Sequence, residues 1–176
     1  MTAKRIEAVL RPASVAVVGA SDTPGSIGEV LCRNLHEGGF RGPVFYVNPR
    51  HASIGDKPSY PDVRSLPQTV DVAIVATPPP TLPTVLEHCG ERGVRGAIIV
   101  SAGFREGGEA GAACESSMLQ VARRYGLRLL GPNSFGVIRT DNGFNASCGA
   151  ALPKPGRPAL VSQSSALCAA TLAWAR

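Results

Sequence analysis

Five short apolar runs, most of them rich in β-branched residues, recur along the chain: Val15 to Val18, Val44 to Val47, Val72 to Val75, Ala97 to Val100 and Leu127 to Leu130. Their hydrophobicity is near-continuous rather than alternating, as strands covered on both faces require. Between them lie apolar stripes at helical spacing: Ile27, Val30, Leu31 and Leu35; Leu82, Val85, Leu86 and Cys89; Ala110, Cys114, Val121, Ala122 and Tyr125. Strand and helix thus alternate in units of about 25 to 31 residues, the length of a βαβ crossover. Such crossovers are right-handed and lay their strands parallel. The pattern predicts an α/β fold built on a doubly wound parallel sheet. One link, Asn48 to Pro67, is loop-rich and is expected to hold only a short turn of helix.

Beyond Leu130 the pattern changes to "GPNSFGVIRTDNGFNAS", in which Phe135 to Ile138 is expected to add an edge strand and Asp141-Asn142-Gly143 to form a turn. The three prolines and glycine of "ALPKPGRP" mark residues 151–158 as a linker. Residues 1–150 then form one domain, and 159–176 begin a second α/β unit with a strand at Ala159 to Ser162 and a helix from Ser164 onward. Leu167, Leu172 and Trp174 of that helix are expected to be more exposed than they would be in the intact protein. Docking of the helix on the first domain as a C-terminal cap is the alternative.

A chain of 176 residues is long enough to bury a substantial core. No apolar run approaches the roughly 20 residues of a membrane span. The opening "MTAKRIEAVLRPAS" lacks the apolar core of a secretory signal, so a cytoplasmic protein is expected. The five cysteines are widely spaced and form no CxxC pair, which predicts reduced thiols. His36, His51 and His88 also stand apart, and no metal site is expected. The net charge of +5 comes mostly from scattered arginines with few aromatics nearby. That argues against a nucleic-acid surface and allows a polyanionic small ligand.

In open α/β sheets ligands bind beyond the carboxyl ends of the strands, so the loops there carry the chemistry. After the first strand, "GASDTPGSIG" contains Gly19 for a tight exit, Ser21, and then Gly25, Ser26, Ile27 and Gly28 opening a helix. Gly25 and Gly28 are expected to let backbone approach a ligand, and the helix start offers free N–H groups and a positive dipole end. The spacing is not the dinucleotide GxGxxG. The second strand ends in Asn48, Pro49 and Arg50, without the acidic residue that NAD requires, leaving NADP and coenzyme A as ligands whose adenosine phosphate suits Arg50. Thr77 and Pro78 follow the third strand, Ser101, Ala102 and Gly103 the fourth, and Asn133 and Ser134 the fifth. No base neighbours Ser134, so no catalytic nucleophile is assigned.

Taken in order, "VAVVGASDTPGSIG", "NLHEGGFRGPVFYVNPR", "DVAIVATPP", "SAGFREGG", "GPNSFGVI" and "LVSQSSAL" resemble the CoA-binding domain shared by NDP-forming acyl-CoA synthetases and the α-subunit of succinyl-CoA synthetase. The resemblance covers essentially the whole chain and implies a Rossmann-like domain followed by the start of a flavodoxin-like one. It implies that Gly25 to Gly28 hold CoA phosphates or the pantetheine arm, with Pro49 and Arg50 near the adenosine end. Thr77 and Pro78 would flank the nucleotide, Val100, Ser101 and Ala102 would track toward the thiol, and Asn133 and Ser134 would lie near the reactive end. Ser134 stands where many relatives have cysteine. Ser164, Ser165 and Ala166 match a helix start that faces a phosphorylated histidine in the family, with Ser165 replacing a glycine.

None of the three histidines stands in the phosphohistidine context, so the resemblance implies that acyl transfer, and any use of ATP or GTP, needs further domains or subunits. The chain is expected to be an N-terminal portion that is inactive alone, and homo-oligomerisation stays open. Two other readings remain: an acyl-CoA-sensing module of a protein lysine acetyltransferase, as in family members fused to a GNAT domain, and an NADP-dependent oxidoreductase, for which no catalytic Lys, Tyr or His constellation is found.

Overall fold

The computed structural model describes residues 3–149 and 153–175. Along the chain run α1 (Ala3–Leu10), β1 (Val15–Val18), α2 (Ile27–Glu37), β2 (Val44–Val47), β3 (Ser53–Ile54), β4 (Lys57–Tyr60), β5 (Val72–Val75), α3 (Leu82–Glu91), β6 (Gly96–Ile99), α4 (Glu109–Tyr125), β7 (Arg128–Leu130), β8 (Gly136–Arg139), β9 (Phe144–Ser147) and α5 (Ser165–Trp174). The main sheet has the order β3-β4-β2-β1-β5-β6-β7. It is parallel throughout except for the β3–β4 pair. This is the doubly wound architecture expected from the five apolar runs, and it is Rossmann-like as the resemblance implies.

The near-continuous hydrophobicity of those runs is used on both faces. Val15 and Val17 point into one apolar layer with Val9 of α1, Leu31 and Leu35 of α2, and Phe144 and Ala146 of β9. Ala16 and Val18 point into the other, with Leu82 and Leu86 of α3 and Met118 and Ala122 of α4. All four residues of β1, β5 and β6 are buried. At roughly 25 cal/mol per Å² of apolar area removed from water, these two layers supply the main drive to fold.

The structure differs from the sequence expectation in three places. The Asn48 to Pro67 link does hold a short helical turn, a 3-10 segment at Val63–Ser65 whose Asp62 cap accepts from the Ser65 N–H at 2.9 Å. It also holds the β3–β4 hairpin, with β4 pairing parallel to β2. Phe135 to Ile138 does not extend the main sheet. Gly131 (φ 99°), Asn133 (φ 50°) and Gly136 (φ 109°) turn the chain off the edge of β7, and β8 pairs with β9 as a separate antiparallel ribbon. Asn34 of α2 secures that ribbon by donating to the carbonyls of Ser147 (2.8 Å) and Gly149 (2.7 Å).

No strand forms at Ala159 to Ser162. These residues pair with no other strand among the described residues, and Leu160 and Val161 are exposed. An extended segment without a ladder partner gains nothing to fix it as a strand. The helix from Ser164 does form, and the Ser164 hydroxyl caps it by accepting from the Leu167 N–H. Leu167 and Trp174 are exposed and Leu172 is half-buried. The expected boundary at 150–151 lies outside the described residues. Among the described residues no helix is long and apolar enough to cross a membrane.

Candidate functional site

From β1 the chain winds outward through β2 to β4, then returns to β5 on the other flank of β1. The strand order therefore reverses between β1 and β5, and at such a reversal the two departing loops diverge and open a crevice at the carboxyl edge. Gly19 lies at that point. Its N–H donates to the Val47 carbonyl at 2.9 Å, its φ is +88°, and a Cβ there would stand 2.9 Å from the Ala76 carbonyl oxygen. Both the turn and the closeness of the β5 loop demand glycine.

The loop then folds on itself. The Ser21 hydroxyl accepts from the Thr23 N–H (3.0 Å) and the Thr23 carbonyl from the Ser26 N–H (3.1 Å). Ser26 caps α2, its Oγ accepting from the Glu29 N–H at 3.2 Å. One orphan donor of the first turn is thereby satisfied, and the remaining N–H groups keep the positive end of the helix available to an anion. Ile27 is 46% exposed, an apolar contact beside those donors. Gly25 has φ +78° and open space around it, so its role is conformational. Gly28 is buried, and a Cβ on it would overlap the Gly19 carbonyl oxygen. The geometry thus gives Gly28 a packing role, where the sequence suggested ligand approach. Cys32 lies beneath the loop and takes a hydrogen bond from the Ser21 N–H. Burial pushes its thiol up to about 11, and burial likewise pushes the neighbouring Tyr46 up to about 12.

Asn48 ties two of the loops together. Its Nδ2 donates to the Ala20 carbonyl at 2.8 Å and its Oδ1 accepts from the Arg50 N–H at 2.9 Å. Pro49 and Arg50 are exposed, and no ion pair among the described residues uses the Arg50 guanidinium. The β3–β4 hairpin, unseen in the sequence, braces the first loop from the side, because the Gly55 N–H donates to Asp22 at 3.3 Å.

On the other flank, Thr77 is half-buried and Pro78 exposed. The Thr81 hydroxyl lies within hydrogen-bond distance of both Thr77 Oγ1 (2.8 Å) and the Pro78 carbonyl (2.7 Å). Val100 and Ser101 are buried, and the Ser101 hydroxyl donates to the Val75 carbonyl at 3.4 Å, so these two side chains belong to the sheet. Ala102 and Gly103 are the exposed members of that loop. Asn133 and Ser134 lie next to it: the Asn133 N–H donates to the Ser101 carbonyl (2.9 Å) and the Ser134 N–H to the Ile99 carbonyl (3.1 Å). The Ser134 hydroxyl accepts from the Gly136 N–H. Sequence reasoning passed over Glu106, whose carboxylate accepts from the Gly103 N–H at 2.8 Å and from Asn133 Nδ2 at 3.4 Å. The backbone N–H of Gly103 above all, with those of Glu106 and Phe104, holds its carboxyl below the usual carboxylate range.

The structure thus brings the residues from Gly19 to Gly28, Asn48 to Arg50, Thr77 and Pro78, Val100 to Gly103, and Asn133 and Ser134 to one edge. Ser164, Ser165 and Ala166 are exposed on α5, which packs closely on none of the strands carrying that edge. A separate concavity of about 540 Å³ lies at the opposite, amino edge, lined by Pro12, Phe40, Arg41, Thr140 and Asn142 among others. It shares no residue with the carboxyl-edge loops, and topology favours the latter as the site.

Fold and loops together define a Rossmann-like domain with an anion-attracting helix start at its topological switch point. The chain belongs to the CoA binding domain family, whose model matches residues 13–140. It is 41% identical over 171 residues to acetate–CoA ligase [ADP-forming] I of Archaeoglobus fulgidus, covering 97% of this chain and 25% of that protein. Against acetate–CoA ligase [ADP-forming] I subunit alpha of Pyrococcus furiosus it is 43% identical over 173 residues, covering 96% of this chain and 37% of that one. Among solved structures, the dinucleotide forming acetyl-coenzyme A synthetase 1 of Ca. Korarchaeum cryptofilum, in complex with phosphate and ADP, matches with a TM-score of 0.84 at 36% identity, covering 96% of this chain and 36% of that chain. This chain therefore spans 25% to 37% of the length of these relatives.

Proposed function

We propose that this chain binds CoA or acyl-CoA across the carboxyl edge of its sheet, as the CoA-binding portion of an NDP-forming acyl-CoA synthetase. The observation that carries the reading is the Ser26-capped start of α2, brought by the Gly19–Gly28 contact to the switch point between β1 and β5. A polyanion bearing an apolar arm suits that edge: N–H groups and a dipole for phosphates, then Ile27, Pro78 and Ala102 as exposed apolar surface.

In this reading Ser26 and Ile27 form the pyrophosphate wall, on the turn that Gly25 makes and with Gly28 letting α2 pack against Gly19, and Arg50 beside Pro49 takes the adenosine 3′-phosphate through its fork of donors. Thr77 and Pro78 flank the nucleotide. Ala102 and Gly103 follow the pantetheine arm, and Asn133 and Ser134 meet its thiol end. Residues 1–150 act as the CoA-binding domain, 151–158 as the linker and 159–176 as part of a second unit, where Ser164, Ser165 and Ala166 present a capped helix start to a phosphoryl group.

The overall reaction interconverts acyl-CoA, nucleoside diphosphate and phosphate with acid, CoA and nucleoside triphosphate. The ADP-forming relatives support ATP over GTP. His36 and His88 lie in the last turns of α2 and α3, away from the helix starts, and His51 follows β2 in the loop with Arg50. The phosphoryl-carrying histidine and the nucleotide-grasp module are accordingly assigned to residues other than these 176, in one polypeptide or in a partner subunit. The free cysteines among the described residues suit a cytoplasmic setting.

Calorimetric titration with CoA, dephospho-CoA and NADP in parallel tests the reading. CoA should bind, dephospho-CoA should bind more weakly, and NADP should give no heat. Tight NADP binding without CoA binding would contradict it.

A further inference from the structure

The loops after β6 and β7 are joined by one carboxylate. Glu106 belongs to a 3-10 turn at Arg105–Gly107, and its side chain curls back so that a single oxygen, Oε1, accepts from both the Gly103 N–H (2.8 Å) and Asn133 Nδ2 (3.4 Å). Asn133 is the one non-glycine residue with positive φ among the described residues, at 50°. Asparagine tolerates that conformation better than most side chains but still adopts it at a cost. Two further bonds hold it there: its own N–H to the Ser101 carbonyl and the Ser134 N–H to the Ile99 carbonyl.

The clasp also decides which end of the Asn133 amide is free. An amide is donor at one end and acceptor at the other, and a carboxylate accepts only from the donor end. With Nδ2 committed to Glu106, Oδ1 stands without a partner among the described residues, on an exposed side chain. What remains for a ligand is therefore mainly an acceptor. The arm of CoA carries the matching groups, two amide N–H donors and a terminal S–H.

We propose that Glu106 is a positioning residue that orients Asn133 Oδ1 to accept a hydrogen bond from a donor on the pantetheine–thiol arm of the ligand. The proposal rests on the CoA reading above and deepens it by naming the residue pair that recognises the arm rather than the nucleotide. Because both bonds run to Oε1, glutamine at position 106 can keep them through its own amide oxygen, whereas alanine cannot.

The test has two parts, both on the 176-residue chain. In the ligand-free protein, Glu106→Ala should shift the Asn133 side-chain and Gly103 backbone resonances in a 1H–15N spectrum, and Glu106→Gln should keep them near their original positions. Unchanged resonances in Glu106→Ala would overturn the clasp whether or not CoA binds. In titrations, Glu106→Ala and Asn133→Ala should each weaken CoA by about tenfold, the worth of one hydrogen bond, and the double variant by no more than either alone. Adenosine 3′,5′-bisphosphate, which lacks the arm, should bind all variants as it binds the parent, and Glu106→Gln should restore CoA. Equal weakening of both ligands would overturn the orienting role. A parent chain that binds neither ligand would contradict the CoA reading itself, and with it the assignment of the arm.

Discussion

Gly28, in the first turn of α2, lies so close to Gly19 at the end of β1 that no Cβ fits between its Cα and the Gly19 carbonyl oxygen. The contact draws the helix start against the strand end, and the distance between phosphate-facing N–H groups and the sheet edge follows from it. Gly28→Ala should destabilise the domain by about 2 to 3 kcal/mol, the cost of overpacking against backbone that cannot rotate away. Gly25→Ala meets open space and pays only for its left-handed backbone, about 1 kcal/mol. Urea unfolding of both variants checks the order. A Gly25 variant less stable than the Gly28 variant would contradict the packing role.

Asn48 and Arg50 are two residues apart and should behave differently. Asn48→Ala removes a brace between two loops and should cost about 1 to 2 kcal/mol of stability. Arg50→Ala should leave stability within about 0.5 kcal/mol. It should, however, erase most of the preference for CoA over dephospho-CoA in calorimetry.

Asn34 is buried, and both of its donor bonds end on carbonyls of the chain leaving β9. Asn34→Ala leaves those acceptors unpaired and should cost about 2 to 3 kcal/mol. Amide exchange in β8 and β9 should accelerate more than in β5 or β6. Uniform acceleration would mean that the ribbon does not depend on this contact.

The buried thiols make stability fall at alkaline pH. Burial pushes Cys89 up from its ordinary 9.0 to about 12 and Cys32 to about 11. Between those values and 9.0 the unfolded chain releases protons that the folded chain retains. Stability from these groups is thus complete below about pH 9 and declines as pH rises toward 11 to 12. Thermal melting from pH 7 to 11 should show that decline, and Cys89→Ala should flatten it. At neutral pH the exposed Cys148 should react with a thiol reagent far faster than either buried thiol.

The main strands were legible because burial on both faces leaves almost no polar position within them, Arg128 of β7 at the sheet edge being the exception: β1, β2 and β5 fall on the residues their sequence pattern marks, and β6 and β7 within one. β4 was not legible, since Lys57-Pro58-Ser59-Tyr60 at the sheet's margin need satisfy only one side and has a proline in it. The ribbon was missed for another reason, β8 being expected on the main sheet's edge and β9 not expected at all. Their register depends on where Gly131, Asn133 and Gly136 aim the chain and on Asn34, more than 100 residues from the carbonyls it holds. At the site, glycine spacing marked the β1–α2 loop, but the sequence does not separate glycines that face a ligand from one that faces Gly19. Glu106 reads as a solvated charge in a glycine-rich loop, and only the folded loop reveals its two donors.

The measurement that tests the account most directly is mapping of backbone amide shifts on adding CoA. The largest changes should fall on residues 19–28, Arg50, Ala102, Gly103 and Asn133, with the groove around Phe40 and Asn142 at the opposite edge unmoved. Shifts concentrated in that groove, or spread evenly over the chain, would contradict a CoA site at the carboxyl edge.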